Sequence, residues 1–135
     1  MLHVFLILRR LKDDDERCKA MGQAVFDVMF SDLDENLREM GVGDIGVSYR
    51  IKDMVEAFYG RIAIYEKGLG EPSTKTLEVA LGRNLYRGAR IETFLVVTMA
   101  EYVRGQDKEL AIQTCDSFLA GRVEFSLPPT IGEVP

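Results

Sequence analysis

Five carboxylates fall within thirteen residues of this chain, Asp32, Asp34, Glu35, Glu39 and Asp44. Acidic groups at that density could hold a hard cation or pair with basic side chains. Asp32, Asp34 and Asn36 occupy the first, third and fifth positions of a calcium-loop pattern, but the sixth is Leu37 where glycine is needed, and the twelfth is Gly43 where a bidentate glutamate is needed. The calcium reading therefore fails. What remains is a solvated helix face in which Asp34 pairs with Arg38 one turn on.

The other chemistry-bearing stretch is Phe58-Tyr59-Gly60-Arg61, followed by Tyr65. A glycine inside a strong helical pattern costs about 1 kcal/mol relative to alanine. Two readings follow: close approach of another backbone, for which the fifth helix is the candidate, or a shallow notch between Tyr59 and Arg61 where a partner seats. Catalytic groups are poorly supplied elsewhere. The single histidine, His3, sits in an apolar helix and reads as a packed or half-exposed side chain rather than a base or metal ligand. The chain contains no spaced His/Cys set for zinc, no Glu-x-x-His di-iron motif, no phosphate-cradling glycine loop and no nucleophile elbow. No catalytic residue, no metal and no cofactor are expected.

Composition narrows the classes further. At 135 residues, with 47% hydrophobic and 29% charged residues, the expectation is a single folded domain over 1–135, large enough to bury a core. A net charge of −5 disfavours nucleic acid, whose binding is driven by clustered Lys and Arg. Cys18 and Cys115 form no close-spaced motif, which suits a reducing compartment and two buried thiols better than a disulfide. The apolar opening MLHVFLIL meets Arg9 and Arg10, well short of the ~20 residues of a membrane span, and it lacks the features of an export signal.

The elements that must position these residues read as helices. Leu2 to Leu11 is apolar nearly all round, and the acidic run Asp13 to Glu16 ends it and starts the next. The second helix carries Met21, Val25, Met29, Leu33, Leu37 and Met40, widened by Phe26 and Phe30, with a restart near Ser31 as the lesser alternative. Gly41 caps it, and the break continues through Gly43 and Gly46. Ser48 can cap the third helix, whose inner face is Ile51, Met54, Val55, Phe58, Ile62 and Tyr65. Gly68, Gly70 and Pro72 end that helix.

Ser73 or Thr74 caps a fourth helix through Leu77, Ala80, Leu81 and Leu85, which stops near Gly88. A fifth runs from Ile91 to Val103; its composition would also suit a strand, but length and flanking caps favour helix. Gly105 is expected to break it, with Asp107 capping a sixth through Leu110, Cys115, Phe118 and Leu119. The tail from Val123, with Pro128, Pro129 and Pro135, is extended, lying down by Phe125 and Leu127 and fraying at its end. The fold class is all-α: an irregular bundle of about six helices over 1–122 with an extended tail over 123–135.

The blocks LHVFLILRRL, FSDLDENLREMGVGD and VSYRIKDMVEAFYGRIAIY, in this order and spacing, resemble the ubiquinol–cytochrome c chaperone family over roughly Leu2 to Leu119. The resemblance implies a non-enzymatic, all-helical chaperone that binds newly made cytochrome b and promotes assembly of ubiquinol–cytochrome c reductase, respiratory complex III. In mitochondrial relatives it acts with a small partner protein near the ribosome. The absence of the family's usual upstream segment and of a mitochondrial presequence leads to the expectation of a bacterial member lacking its N-terminal segment, cytoplasmic and near the inner membrane. The alternative is the matrix side of a mitochondrion.

The family's characteristic residues fall on Asp32, Asp34, Leu37, Arg38, Glu39, Met40, Gly41, Gly43, Asp44, Tyr59, Gly60, Arg61 and Tyr65. Leu37 and Met40 read as core. The candidate partner-binding set is Asp32, Asp34, Arg38, Glu39, Asp44, Tyr59, Gly60, Arg61 and Tyr65. Two other classes are compatible with the composition: a small ligand-binding or enzymatic bundle using Asp and Tyr groups, requiring carboxylates buried about a closed cavity, and a structural homodimerisation module.

Overall fold

A computed structural model describes residues 1–130. All regular structure among them is helical, as the all-α expectation requires: α1 (Leu2–Leu11), α2 (Glu16–Glu39), α3 (Asp44–Gly70), α4 (Lys75–Asn84), α5 (Thr93–Ala111) and α6 (Cys115–Leu119). An extended tail follows α6. The chain gathers into two compact units, Met1–Ile62 and the residues from Ala63 on, with the boundary inside α3.

In the first unit α1 buries Phe5, Leu6 and Leu11 and packs along α2. Gly22 faces this contact, where an added methyl group would lie 3.5 Å from Leu11 Cβ, an ordinary van der Waals distance. The acidic run between the helices works as its sequence suggests. Arg10 donates to Asp14 at 2.7 Å, and the Asp15 carboxylate accepts from the Cys18 N–H at 3.0 Å, capping α2. Those bonds hold both aspartates below the ordinary carboxylate range: for Asp14 chiefly the Arg10 guanidinium, for Asp15 chiefly the Cys18 amide.

The α2 helix runs unbroken through Ser31. It ends as Met40 gives way to Gly41, whose φ of 89° is a conformation open mainly to glycine. Beyond the turn Val47 N–H donates to Gly43 C=O at 2.9 Å, so α3 begins at Asp44. Ser48 therefore lies within the helix and does not cap it. Phe26 and Phe30 of α2 meet Phe58 of α3 at ring-centroid distances of 6.1 and 5.8 Å, and Phe26 meets Tyr59 at 5.8 Å. Phe26 lies fourteen residues before Met40 and Phe58 fourteen after Asp44, so α2 and this part of α3 form an antiparallel hairpin, pinned by rings ~20 Å from its tip.

In the second unit α4 packs on α5, burying Leu77, Ala80 and Leu81 from α4 and Ala100, Val103, Gln106 and Leu110 from α5. The α5 helix passes straight through Gly105 and Asp107. The expected break fails because its buried residues recur at steps of three, three and four across that point, so tertiary burial outweighs one glycine. The last helix is instead the short α6, capped by Thr114, whose side chain accepts from the Ser117 N–H. In α4 the Thr74 hydroxyl donates to Glu78 at 2.6 Å. That bond, with Lys75 adding to it, holds the Glu78 carboxyl below the ordinary glutamate value.

At the end of α3 a methyl group on Gly68 would lie 3.0 Å from the Leu77 backbone nitrogen. The Arg104 guanidinium donates to the carbonyls of Gly68, Pro72 and Ser73 at 3.2, 3.4 and 3.0 Å, closing the turn into α4. The tail is tied to α5 and the segment after it by glutamine amides. Gln106 accepts from Ser126 N–H at 2.9 Å; Gln113 donates to Glu124 C=O at 2.7 Å and accepts from its N–H at 2.9 Å. Phe125 is half-buried, but Leu127 is exposed rather than packed. The expected fraying around Pro135 lies outside the described residues.

Neither cysteine is a free thiol. Each is disulfide-bonded, which corrects the expectation of two reduced buried thiols, and Cys115 is only half-buried.

Candidate functional site

The conspicuous surface is the tip and outer face of the α2–α3 hairpin. The last two turns of α2 supply Asp34 and Arg38, one turn apart, and Asp44 is the first residue of α3. Arg38 Nε donates to Asp34 at 2.7 Å and its Nη1 to Asp44. These two contacts, Asp34 first and Asp44 second, raise the Arg38 pKa above its ordinary value. Arg38 thus joins the two helices across the turn, an arrangement whose i, i+4 half was legible in sequence and whose other half was not. Asn36 donates to Asp32 at 3.4 Å.

Glu35 and Glu39 are exposed and make no ion pair among the described residues. Between Asp27 and Glu56 the chain has eight acidic and three basic residues, a net −5 that equals the charge of the whole sequence. The hairpin thus carries the chain's entire excess of negative charge.

The outer face of α3 is mixed, with three large apolar or aromatic side chains exposed among charged ones. Ile45, Tyr49 and Tyr59 are 76, 68 and 57% exposed. With Lys52 and Glu56, also exposed, they recur at steps of four, three, four and three, the spacing of one helical stripe. Met40, read from the apolar ladder as core, is 76% exposed. It falls where α2 stops, so the ladder's last rung has no partner helix to meet.

The candidate residues divide unevenly. Asp32, Arg38, Glu39, Asp44, Tyr59 and Gly60 are exposed, and Asp34 and Arg61 are half-buried. Tyr65 is 5% exposed and belongs to the buried set, as its place on the inner face of α3 requires. Gly60 makes no close packing contact, since a methyl group there would meet nothing within 4 Å. The close approach expected at Gly60 occurs at Gly68 instead.

Ile45 and Tyr49 are the residues that sequence reasoning missed. The signal was present: starting α3 at Asp44 rather than Ser48 puts both on one stripe with Tyr59. The hairpin carboxylates form an open charged tip, which is not the buried cluster that a ligand-binding or enzymatic bundle requires. Among the described residues no helix is long and apolar enough to cross a membrane.

The fold and this surface define an all-helical protein that presents an exposed, mixed acidic and apolar helical hairpin. Comparison with known proteins makes the assignment particular. The profile of the family described as Ubiquinol-cytochrome C chaperone matches residues 1–125, and the chain belongs to that family.

It is 28% identical over 123 residues to ubiquinol-cytochrome-c reductase complex assembly factor 1 of Xenopus laevis, covering 90% of this chain and 61% of that protein. It is 27% identical over 126 residues to the Mus musculus protein of the same name, covering 93% and 42%. The chain therefore spans less than two thirds of these relatives' length. A crystal structure of the Cbp3 homolog from Brucella abortus superposes with a TM-score of 0.81 at 31% identity, covering 93% of this chain and 68% of that one.

Proposed function

We propose that this protein is a non-enzymatic assembly factor for ubiquinol–cytochrome c reductase that binds newly synthesised cytochrome b and holds it until it joins its partner subunits. The observation that carries this reading is the chaperone-family match over residues 1–125, nearly the whole described chain. The names of the two vertebrate relatives, both assembly factors of that complex, point the same way.

The exposed hairpin supports the reading physically. A chaperone for a membrane protein must offer apolar surface to a segment that water would otherwise face, and Met40, Ile45, Tyr49 and Tyr59 offer it. On this reading the protein acts in the bacterial cytoplasm beside the inner membrane.

The test is capture of cytochrome b from cells that synthesise it, using the natural full-length protein. The double variant Tyr59→Ala/Arg61→Ala should retain its helical circular dichroism and copurify at least several-fold less cytochrome b, with a matching fall in assembled complex. Undiminished capture by that variant would place the client elsewhere. Normal levels of assembled complex in cells lacking the protein would sink the chaperone reading itself.

A further inference from the structure

The connection between α4 and α5 has a charge opposite to that of the chain as a whole. From Val79 to Ile91 the sequence holds three arginines, Arg83, Arg87 and Arg90, and no carboxylate. All three are exposed, and among the described residues none of them pairs with an acidic group. Acidic partners are not scarce in a chain with 22 acidic and 17 basic residues, and like charges this close in sequence repel one another. Glu78, the acid just before the stretch, is taken up by Thr74 and Lys75.

The backbone gathers these residues at one end of α4. Gly88 N–H donates to Gly82 C=O at 3.0 Å and Ala89 N–H to Tyr86 C=O at 2.9 Å, so the chain doubles back on the last turn of the helix. Arg83 follows one partner of the first bond and Arg87 precedes the other, which sets their backbones side by side. Arg87 has a φ of 53°, the one positive φ at a non-glycine position among the described residues. Its Cβ crowds the backbone there, in a conformation that favours glycine. The fold gains nothing from arginine at an exposed, strained position, and such an outlier points to a role outside the fold. In the same connection stand Leu85, just past α4, and Phe94, in the first turn of α5, which are 43 and 42% exposed.

On the reading proposed above, the protein handles a membrane-protein client beside the bilayer. We infer that the α4–α5 connection is where it rests on that bilayer, with Arg83, Arg87 and Arg90 on anionic lipid headgroups and Leu85 and Phe94 entering the interface among them. Unpaired guanidiniums call for an anionic partner. Apolar side chains interspersed with them select the lipid surface, where phosphate and hydrocarbon lie at adjacent depths. A single-stranded RNA could stack a base on Phe94 but leaves Leu85 without a role.

The experiment is cosedimentation of the natural full-length protein with vesicles of mixed phosphatidylglycerol and phosphatidylcholine, against vesicles of phosphatidylcholine alone. Binding should be at least ten-fold stronger to the anionic vesicles, a preference that shrinks as salt rises. At roughly five-fold per arginine, the triple variant Arg83→Gln/Arg87→Gly/Arg90→Gln should lose binding on the order of a hundred-fold. Arg87→Gly alone should lose about five-fold while melting no lower than the unsubstituted protein, since glycine relieves the strain. The sequence holds no tryptophan, so Phe94→Trp, with the unsubstituted protein as blank, should report insertion as a blue shift of emission on adding the anionic vesicles.

Equal binding to the two kinds of vesicle, undiminished binding by the triple variant, or no blue shift overturns the inference. So does tighter binding of a polyuridylate oligonucleotide than of the anionic vesicles. Assembly of the complex that still depends on the protein when vesicle binding fails removes the docking surface and keeps the chaperone reading. Normal assembly without the protein, with vesicle binding as expected, sinks the chaperone reading and keeps the surface.

Discussion

Two glycines eight residues apart in α3 make opposite predictions for the same substitution. Alanine is favoured over glycine in a helix interior by about 1 kcal/mol. At Gly60 nothing opposes that gain, because the added methyl group meets no atom within 4 Å. Gly60→Ala should therefore stabilise the protein by about 1 kcal/mol, raising Tm by ~4 °C for a chain of this size. At Gly68 the same methyl group would sit 3.0 Å from Leu77 N, 3.1 Å from its Cα and 3.1 Å from its Cβ.

Two of those atoms are backbone of α4, so relief requires α4 to move, and overpacking of this kind costs about 1–3 kcal/mol. The gain in propensity offsets part of it, more weakly near the helix end. Gly68→Ala should be less stable than Gly60→Ala by about 1–3 kcal/mol. Urea unfolding followed by circular dichroism at 222 nm reads both directly, as shifted midpoints with unchanged slopes. Equal midpoints for the two variants would refute the assignment of Gly68 as the close-approach glycine.

Other perturbations have equally definite outcomes. Phe58→Ala empties the ring cluster that pins the hairpin and should cost about 3–5 kcal/mol; a loss below ~1 kcal/mol in urea unfolding would show that the rings do not pin it. Gln106→Ala removes the buried acceptor of the Ser126 amide and should cost about 1 kcal/mol, with hydrogen exchange at Ser126 accelerating while α5 stays protected. Arg104→Lys replaces a planar fork reaching three carbonyls by one point charge. It should destabilise by about 1 kcal/mol, and a neutral result in thermal unfolding would remove the fork from the account.

The acid limb of stability also has a defined sign. Glu78 is held below its ordinary value of 4.5 by the Thr74 hydroxyl and Lys75. A carboxyl depressed in the folded state contributes stability that is fully present above its unfolded value and is lost as pH falls through the folded one. Glu78→Gln should therefore flatten the fall in stability below about pH 4.5. An unchanged acid limb would mean that the Thr74 bond does not persist in solution.

Much of this protein was legible from local chemistry. The bounds of α1, the Asp15 region as a helix start, the unbroken α2, the Gly41 stop and the Asp34–Arg38 pair all follow from interactions within a few residues. So does the all-α class, because 3.6-residue periodicity shows in every long segment. Family membership was also legible, being carried by the order and spacing of the blocks from LHVFLILRRL to FYGRIAIY.

What local pattern could not decide was where a helix face finds a neighbour. The apolar ladder of α2 extends to Met40, but burial ends at Leu37 because the chain turns there. Gly105 looks like a stop, but the face formed by Ala100, Val103, Gln106 and Leu110 is buried on both sides of it, and that burial sustains the helix. Gly60 and Gly68 are indistinguishable by spacing; only the approach of α4 tells them apart. Tyr59 and Tyr65 likewise share a residue type and a helix, and their six-residue separation puts one toward solvent and the other into the core. The acidic arm, the turn and the aromatic arm could all be read in the sequence. That Arg38 binds across the turn, leaving Glu35, Glu39 and the stripe of Ile45, Tyr49 and Tyr59 facing solvent, was decided by tertiary structure, because burial and pairing are properties of neighbours in space.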